Sequence, residues 1–542
     1  MLAAALLTAG PAGGAVPSAP VATVTATVVG LTDVAGGGYD PPDPQLAAGP
    51  GFVVEMVNLA ERVWRTDTTG TPQLVETTPL SVLYGTGADG LTDPRILWDT
   101  SSGRWFASIS DEDQSSVMLA VSDTADPTGA WSVYSFPAGG CADQPRLGVA
   151  DGVVVLAADV FQRCEGFAAV LGNEVWVVSK EQAVAGAATV SSTSFGPATT
   201  YSSLQPVQSL SPTATEYLVG VDNQSSRAVH VLTVEGVPPA TVTMQQVAAP
   251  AILPLSLPPD GQQPDPSPPV RTNDDRVLDA VWENGKLWFS ANTGCVPAGD
   301  DAVRACARVT EVSTETLTVD WDVNLGRSNA YLYYPAIRPD AAGDLVVVYG
   351  ESSPQENPAV VVQGRTPDGT FTAPAVVARS RVAHLGDRYG DYFGAAQDPV
   401  DPADVWVVGE TAPATAAVTG WATAVASVQV TPAGVTPPTV DGSAPPRVRA
   451  RATTARAGSA VRLTFTTLDE GENVSSDVTV TAGRKTIVFH TATAVATVHA
   501  GQVHAVLWRS VRTLRGAFAF CVNSTALNGA VSPKSCATVT LR

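Results

Sequence analysis

Seven times along this chain a polar or aromatic residue, usually followed by proline, opens a short apolar run. The openers are DPQLAAG at Asp43, DPRILWD at Asp93, QPRLGVAD at Gln144, QPVQSLS at Gln205, DRVLDAVW at Asp275, YPAIRPD at Tyr334 and DYFGAAQD at Asp391. With Pro44, Pro94, Pro145, Pro206, Val277, Pro335 and Tyr392 as equivalent positions, the intervals are 50, 51, 61, 71, 58 and 57 residues. Each opener leads through a turn to a second apolar run, for example FVVEMV at Phe52, VVVLAA at Val153 and LVVVY at Leu345. A third run follows, such as SVMLAVS at Ser116 and ATAVASVQV at Ala422, and in most units a weaker fourth, such as WSVYSF at Trp131. β-Branched and aromatic runs of this length, bounded by turn residues, are strands. Four strands repeating every 50 to 70 residues are the pattern of propeller blades. The chain therefore predicts an all-β fold with a seven-bladed β-propeller over residues 23–430. Six blades is the alternative, because the 71-residue interval holds an insertion and the fourth strands are weak. An array of β-sandwiches competes, but leaves the recurring opener unexplained.

The seventh unit supplies three strands before the chain turns Pro-rich at Thr431. Upstream of the first opener, TVTATVVGL from Thr23 is a strand without a unit. It is expected to complete the last blade and so remove two exposed sheet edges. The insertion at residues 250–269 contains eight prolines and cannot be a regular strand. It is either a disordered loop or a lid over the channel mouth.

Beyond the spacer TPAGVTPPTVDGSAPP, residues 431–446, the last 96 residues alternate as strands: VRLTFTTL at Val461, SDVTVTA at Ser476, TIVFHTA at Thr486, HAVLWRS at His504, FAFCVNS at Phe518 and SCATVTLR at Ser535. Their number and length predict an immunoglobulin-like β-sandwich over residues 447–542. The ending FCVNSTALNGAVSPKSCATVTLR resembles the immunoglobulin- or fibronectin-type modules that close many exported bacterial proteins. Residues 447–542 hold 12 Lys/Arg against 4 Asp/Glu, the remainder 19 against 48. A basic appendage on an acidic body suits docking onto that body or onto an anionic envelope polymer, unless it is simply a basic soluble domain.

With a formal charge of −21, the chain lacks the basic face that nucleic acid requires. At 44% hydrophobic and 15% charged residues it can build a large core. No stretch reaches the roughly 18 uninterrupted apolar residues of a membrane span. MLAAALLTAGPAGGA, residues 1–15, is apolar and small but lacks a positive start; residues 1–22 are read as the remnant of a signal peptide or a disordered tail. Six cysteines form three local pairs, Cys141 with Cys164, Cys295 with Cys306 and Cys521 with Cys536, and no C-x-x-C occurs. Structural disulfides indicate an oxidising compartment, so a secreted or extracellular location is expected.

Ser122-Asp-Thr-Ala-Asp-Pro-Thr-Gly-Ala-Trp131 and Thr366-Pro-Asp-Gly-Thr-Phe371 fall at the turn between third and fourth strands of two units. They resemble degenerate Asp-box turns of the sialidase-like propellers, in which an Asp caps the turn, a Gly supplies positive φ and an aromatic packs between strands. The first has two inserted residues and the second lacks the Ser. The resemblance implies fold more than activity. Sialidase chemistry would add an arginine cluster for a carboxylate, a Tyr nucleophile with an acidic partner, and an Asp acid/base, all at the openers. This sequence places Asp93, Arg95, Asp143, Arg146, Arg276, Tyr334, Arg388, Asp391 and Tyr392 there, and these are the candidate ligand-binding residues. Local ion pairing is the plain alternative. No G-x-S-x-G, H-E-x-x-H or P-loop motif is present, and neither His230 nor His384 accompanies a nucleophile motif. No cofactor is called for. Calcium is the one ion for which oxygen ligands exist, in DEDQ at Asp111 and DPVDPAD at Asp398, neither with the spacing of a dedicated loop. The expected function is non-enzymatic binding or adhesion, toward a glycan or cell-envelope polymer; a glycan-active hydrolase is the alternative.

Overall fold

The structure is a computed structural model. It describes residues 19–432 and 447–542, except 67–71, 88–89, 223–224, 265, 387 and 413–419 in the first stretch and 458, 469–470, 473–474, 483–484, 494–496, 499–502, 510–514 and 526–531 in the second. Residues 1–18 of the expected leader (1–22) and most of the Pro-rich spacer (433–446) lie outside the described residues; Val21 and Ala22, placed in that leader, instead begin a strand, Val21–Thr32.

Each opener lies in, or just ahead of, the innermost strand of a four-stranded antiparallel sheet. Those strands are Gln45–Gly49, Leu91–Asp99, Cys141–Val149, Ser202–Pro206, Val277–Glu283, Tyr331–Pro339 and Gly394–Gln397. Each touches the next, and the seventh touches the first. The arrangement is that of a β-propeller. The outer strands are Gln73–Pro79, Trp131–Pro137, Ser192–Ala198, Thr243–Ala248, Thr318–Leu325 and Ala375–Arg379. The seventh sheet takes its outer strand from the N-terminal side, where Val21–Thr32 pairs antiparallel with Ala422–Thr431, as the sequence predicts.

Both faces of every middle strand are buried, which is why those strands read as unbroken apolar runs rather than alternating ones. In the first sheet Val54 and Val63 pack toward the second, with Leu91, Ile96 and Trp105. Val53 and Trp64 pack the other way, toward Trp406, Val408 and Val425 of the seventh. The same alternation fills the other five interfaces. Near the axis the inner strands come so close that a Cβ on Gly148 would collide with Pro206 and Glu216. Away from the openers the channel narrows. Gln208–Ser209 runs parallel between Val149 and Val281, and the Gln208 amide reaches across to the Trp98 carbonyl, 2.9 Å away. Two short helices, Leu80–Tyr84 and Lys180–Val184, were not foreseen.

The insertion is an ordered strap over the described residues, neither a disordered loop nor a cover over the mouth. Arg308 donates to the Leu253 and Pro254 carbonyls at 2.7 and 3.3 Å, and Gly294 N to Ser256 O at 2.8 Å. The Gln263 side chain exchanges both hydrogen bonds with the His384 backbone, at 2.9 and 2.7 Å.

Residues 447–542 form two facing sheets, ordered Val448–Arg451, Ala460–Thr467, Val503–Arg509 and Thr453–Ala455, Ser535–Leu541, Gly516–Thr525, Ser475–Ala482, Lys485–Thr493. Val461, Leu463 and Phe465 of one pack on Val480, Phe520 and Val539 of the other. The three disulfides join the cysteines that the sequence pairs. Among the described residues no helix is long and apolar enough to cross a membrane.

Candidate functional site at the channel mouth

The openers share a backbone device. In five units the opener itself, Asp43, Asp93, Gln144, Tyr334 or Asp391, has φ between 52° and 58°; in the fourth and fifth the left-handed residue is Ser203 (48°) or Asn273 (54°), two positions before the expected Gln205 and Asp275. Pairing slips just there, between Thr92 and Arg95, Asp143 and Arg146, Ser202 and Gln205, and Tyr333 and Ala336. These are bulges that re-aim side chains at a rim. A left-handed residue is inexpensive for Asp or Asn and costly for Gln or Tyr.

A bulge leaves an N–H without a ladder partner, and a buried asparagine from the preceding sheet accepts it. Asn58 Oδ1 takes Asp93 N at 2.6 Å, Asn173 Oδ1 takes Leu204 N at 2.6 Å, and Asn292 Oδ1 takes Tyr334 N at 2.7 Å. The Asn58 amide also donates to Asp43 Oδ2 at 2.7 Å, tying two openers together. Nothing in the repeat pattern singled out these asparagines.

The re-aimed side chains bound a cavity of about 310 Å³. Of the expected residues, Asp93, Asp143, Arg276 and Arg388 line it, joined by Asp43, Glu112, Gln144, Asn273 and Asp274, with Tyr39 and Phe167 among the lining rings. Asp43 and Gln144 occupy the opener position itself, so the repeat carried their signal. Tyr39 and Phe167 come from connections between strands and had none; Glu112 was marked only as part of DEDQ, a set of calcium ligands.

The arginines are mostly committed to the protein. Arg276 holds Asp274 through Nε at 2.6 Å and Nη2 at 2.5 Å and also donates to Gln144. This pairing more than offsets burial and keeps the Asp274 carboxyl below its ordinary range. Arg388 pairs with Asp391. Arg146, buried below the mouth, pairs with Asp159 at 2.7 Å. Arg95 lies over the Tyr392 ring, 4.1 Å from its centroid, with Nε and Nη2 unpartnered. Tyr392 is buried beside it, its hydroxyl also unpartnered. Tyr334 does not join the group: it packs against Tyr333 and Phe393 and donates to the Arg271 carbonyl at 2.8 Å.

The carboxyls are crowded. Burial, then the neighbouring Asp93, pushes Asp43 and Asp143 well above the carboxylate range. Burial and then Asp93 raise Glu112. The two propeller histidines stand apart, each beside a carboxylate: His230 Nε2 2.9 Å from Asp222 and His384 Nδ1 3.4 Å from Glu410.

No family model and no curated protein matches the chain. Among solved structures it is similar to a protein of unknown function from Dyadobacter fermentans, with 13% identity over 76% of this chain and 99% of that one and a TM-score of 0.38. It is similar to Drosophila Semaphorin 2a, with 8% identity over 93% and 97% and a TM-score of 0.36. It is also similar to the parainfluenza virus 5 hemagglutinin-neuraminidase with ligand DANA, with 10% identity over 67% and 91% and a TM-score of 0.35. The propeller itself is read from the ring of inner strands.

Proposed function

We propose that the chain is an exported binding protein. In this reading residues 23–430 form a seven-bladed propeller with its last sheet completed from the N-terminal side, and residues 447–542 an immunoglobulin-like module beyond the Pro-rich spacer. The mouth of the channel takes a small polar ligand, a glycan residue of an envelope or extracellular polymer. The observation that carries this is the cavity of about 310 Å³ onto which left-handed openers of successive sheets bring carboxyl and amide groups. Such convergence of polar groups from distant parts of a chain is what ligand sites share. Tyr39 and Phe167, 42% and 45% exposed, offer rings at the same rim. Export rests on the three disulfides, which persist in oxidising compartments.

One observation favours a second reading. A carboxyl whose pKa is raised by burial and a second carboxyl suits the acid partner that glycoside hydrolysis needs, and Asp143 beside Asp93 fits that description. A glycan array together with a fluorogenic glycoside panel separates the two. Binding without turnover supports the binding protein. Hydrolysis that Asp143→Asn abolishes replaces it with the enzyme, and no glycan bound or cleaved refutes both.

A further inference from the structure

The carboxyls at the mouth outnumber the cations that neutralise them. Arg276 is occupied by Asp274, and Arg388 by Asp391. Asp43, Asp93, Glu112 and Asp143 line the same cavity, and none forms an ion pair among the described residues. A set of acidic groups is not yet a site, since acidic surfaces are commonly just solvated. Two further observations point to a ligand. Asp43 is only 3% exposed and lines the cavity, yet its Oδ1 has no hydrogen-bond partner. The exposed rings of Tyr39 and Phe167 belong to the same wall, and the Phe167 ring is held edge-on by Phe161 at 5.3 Å. Uncompensated carboxyls and exposed aromatic faces together suit an organic cation, which gains from both.

Among the described residues no three acidic, histidine or cysteine side chains are placed to hold a metal ion, which argues for a cation larger than a bare metal. The volume is at the small end of ligand pockets, about 300–1,000 Å³, and suits one sugar ring better than an extended chain.

We infer that the channel mouth recognises a protonated amino sugar, such as a de-N-acetylated hexosamine residue of a glycan. The inference rests on the glycan-binding reading above and narrows its ligand. The ammonium group donates to the layer formed by Asp43, Asp93 and Asp143, while the apolar face of the ring lies against Tyr39 and Phe167. Asp43 faces Asp93, Asp143 and Arg388, and Asp143 faces Asp93, Asp159 and Arg276. In the empty site burial and this crowding favour the protonated form of Asp43 and Asp143. An arriving ammonium favours the ionised carboxyls, so binding releases protons and strengthens as pH rises through the raised carboxyl range, until the amine itself deprotonates. A neutral sugar has no such linkage.

The test is calorimetric titration of the full chain with a glucosamine tetramer, its fully N-acetylated counterpart, a tetralysine peptide and calcium chloride. Titrations at pH 5, 6 and 7 use two buffers of different ionisation enthalpy. The glucosamine tetramer is expected to bind at least tenfold tighter than the acetylated form, to gain affinity from pH 5 to 7, and to release protons. Asp43→Asn and Asp93→Asn should each weaken it at least tenfold; asparagine tolerates the left-handed backbone, and a melting curve checks each fold. Equal affinity for the two tetramers, lost in both variants, leaves the glycan-binding mouth standing and overturns the cation. Tight amine binding that neither variant changes overturns the mouth itself. Tetralysine binding without glucosamine binding overturns the amino sugar, stoichiometric calcium binding overturns the organic cation, and no binding of either tetramer overturns the inference.

Discussion

Deleting residues 1–32 removes the outer strand of the seventh sheet, whereas deleting 1–18 leaves all described structure in place. The cost follows from what the strand buries. Val28 and Leu31 are 1% and 0% exposed, Ala22 and Ala26 6% and 9%. At about 1.5–3 kcal/mol for each of the larger pair and about 0.8 kcal/mol for each alanine methyl, that is about 5–8 kcal/mol. The strand also satisfies buried polar groups of the first sheet. Leu31 N donates to both Glu55 carboxylate oxygens, at 3.1 and 3.0 Å, and Arg62 Nη1 donates to Gly30 O at 2.5 Å. Orphaning them adds about 1–3 kcal/mol each. Against a typical total of about 5–15 kcal/mol, the longer truncation should lose most of its stability. Urea unfolding and limited proteolysis compare the two truncations, and a synthetic 21–32 peptide should restore protection by adding a strand to the open edge. Leu31→Ala, which keeps the backbone pairing, should cost about 2–5 kcal/mol. Equal midpoints for the two truncations would refute the reasoning.

Glu61 is 3% exposed, and burial, then Glu76, pushes its carboxyl up to about 8. The stability its protonated form gives is full below about 4.5, the ordinary Glu range, and lost as pH rises through about 8. Glu61→Gln should therefore be near neutral at pH 4.5 and stabilising by about 1–3 kcal/mol at pH 8.5; no gain at pH 8.5 by chemical denaturation contradicts this. Arg146→Ala removes a buried guanidinium and leaves half-buried Asp159 with Ser203 at 2.9 Å and Arg276 at 3.9 Å, which should cost about 3 kcal/mol, whereas Arg95→Met breaks no ion pair and should change stability by less than about 1 kcal/mol. Denaturation midpoints in the opposite order would show that the ion network is misassigned. Non-reducing peptide mapping should find 141–164, 295–306 and 521–536 linked, each bond adding about 3 kcal/mol in the loop-entropy model; free thiols or a bond between the two regions would reject the scheme.

The strands were legible where both faces are buried and faint where one faces water. VVVLAA, LVVVY and VWVVG needed no alternation to be recognised. Gln73–Pro79, Ser192–Ala198, Thr243–Ala248 and Ala375–Arg379 belong to the weak fourth strands, faint because these outer strands leave many of their side chains exposed or half-buried. The two short helices were invisible for a related reason, since five residues are too few to show a period.

The mouth was half legible, and the division follows from backbone geometry. Opener residues of the repeat reach the cavity because left-handed bulges re-aim them: Asp93 stands in its wall, and so does Asp43, which the repeat marked equally. The same conformation at Tyr334 sends its larger ring between sheets, onto Phe393, because nothing at the rim competes with burial of an aromatic face. Glu112, Tyr39 and Phe167 arrive from connections whose course depends on loop length, which no periodicity encodes. Left-handed Gln144 and Tyr334 would each be more stable as ordinary strand residues, and Asp143, its carboxyl pushed up by burial and by Asp93, would be more stable as an amide. Regular sheet is therefore given up at the one end of the channel where side chains of successive sheets meet in an open cavity. Irregularity that recurs in every unit, at that end, with an asparagine set to satisfy the freed N–H in three of them, is hard to account for by packing alone. It is the physical reason to look for the ligand there.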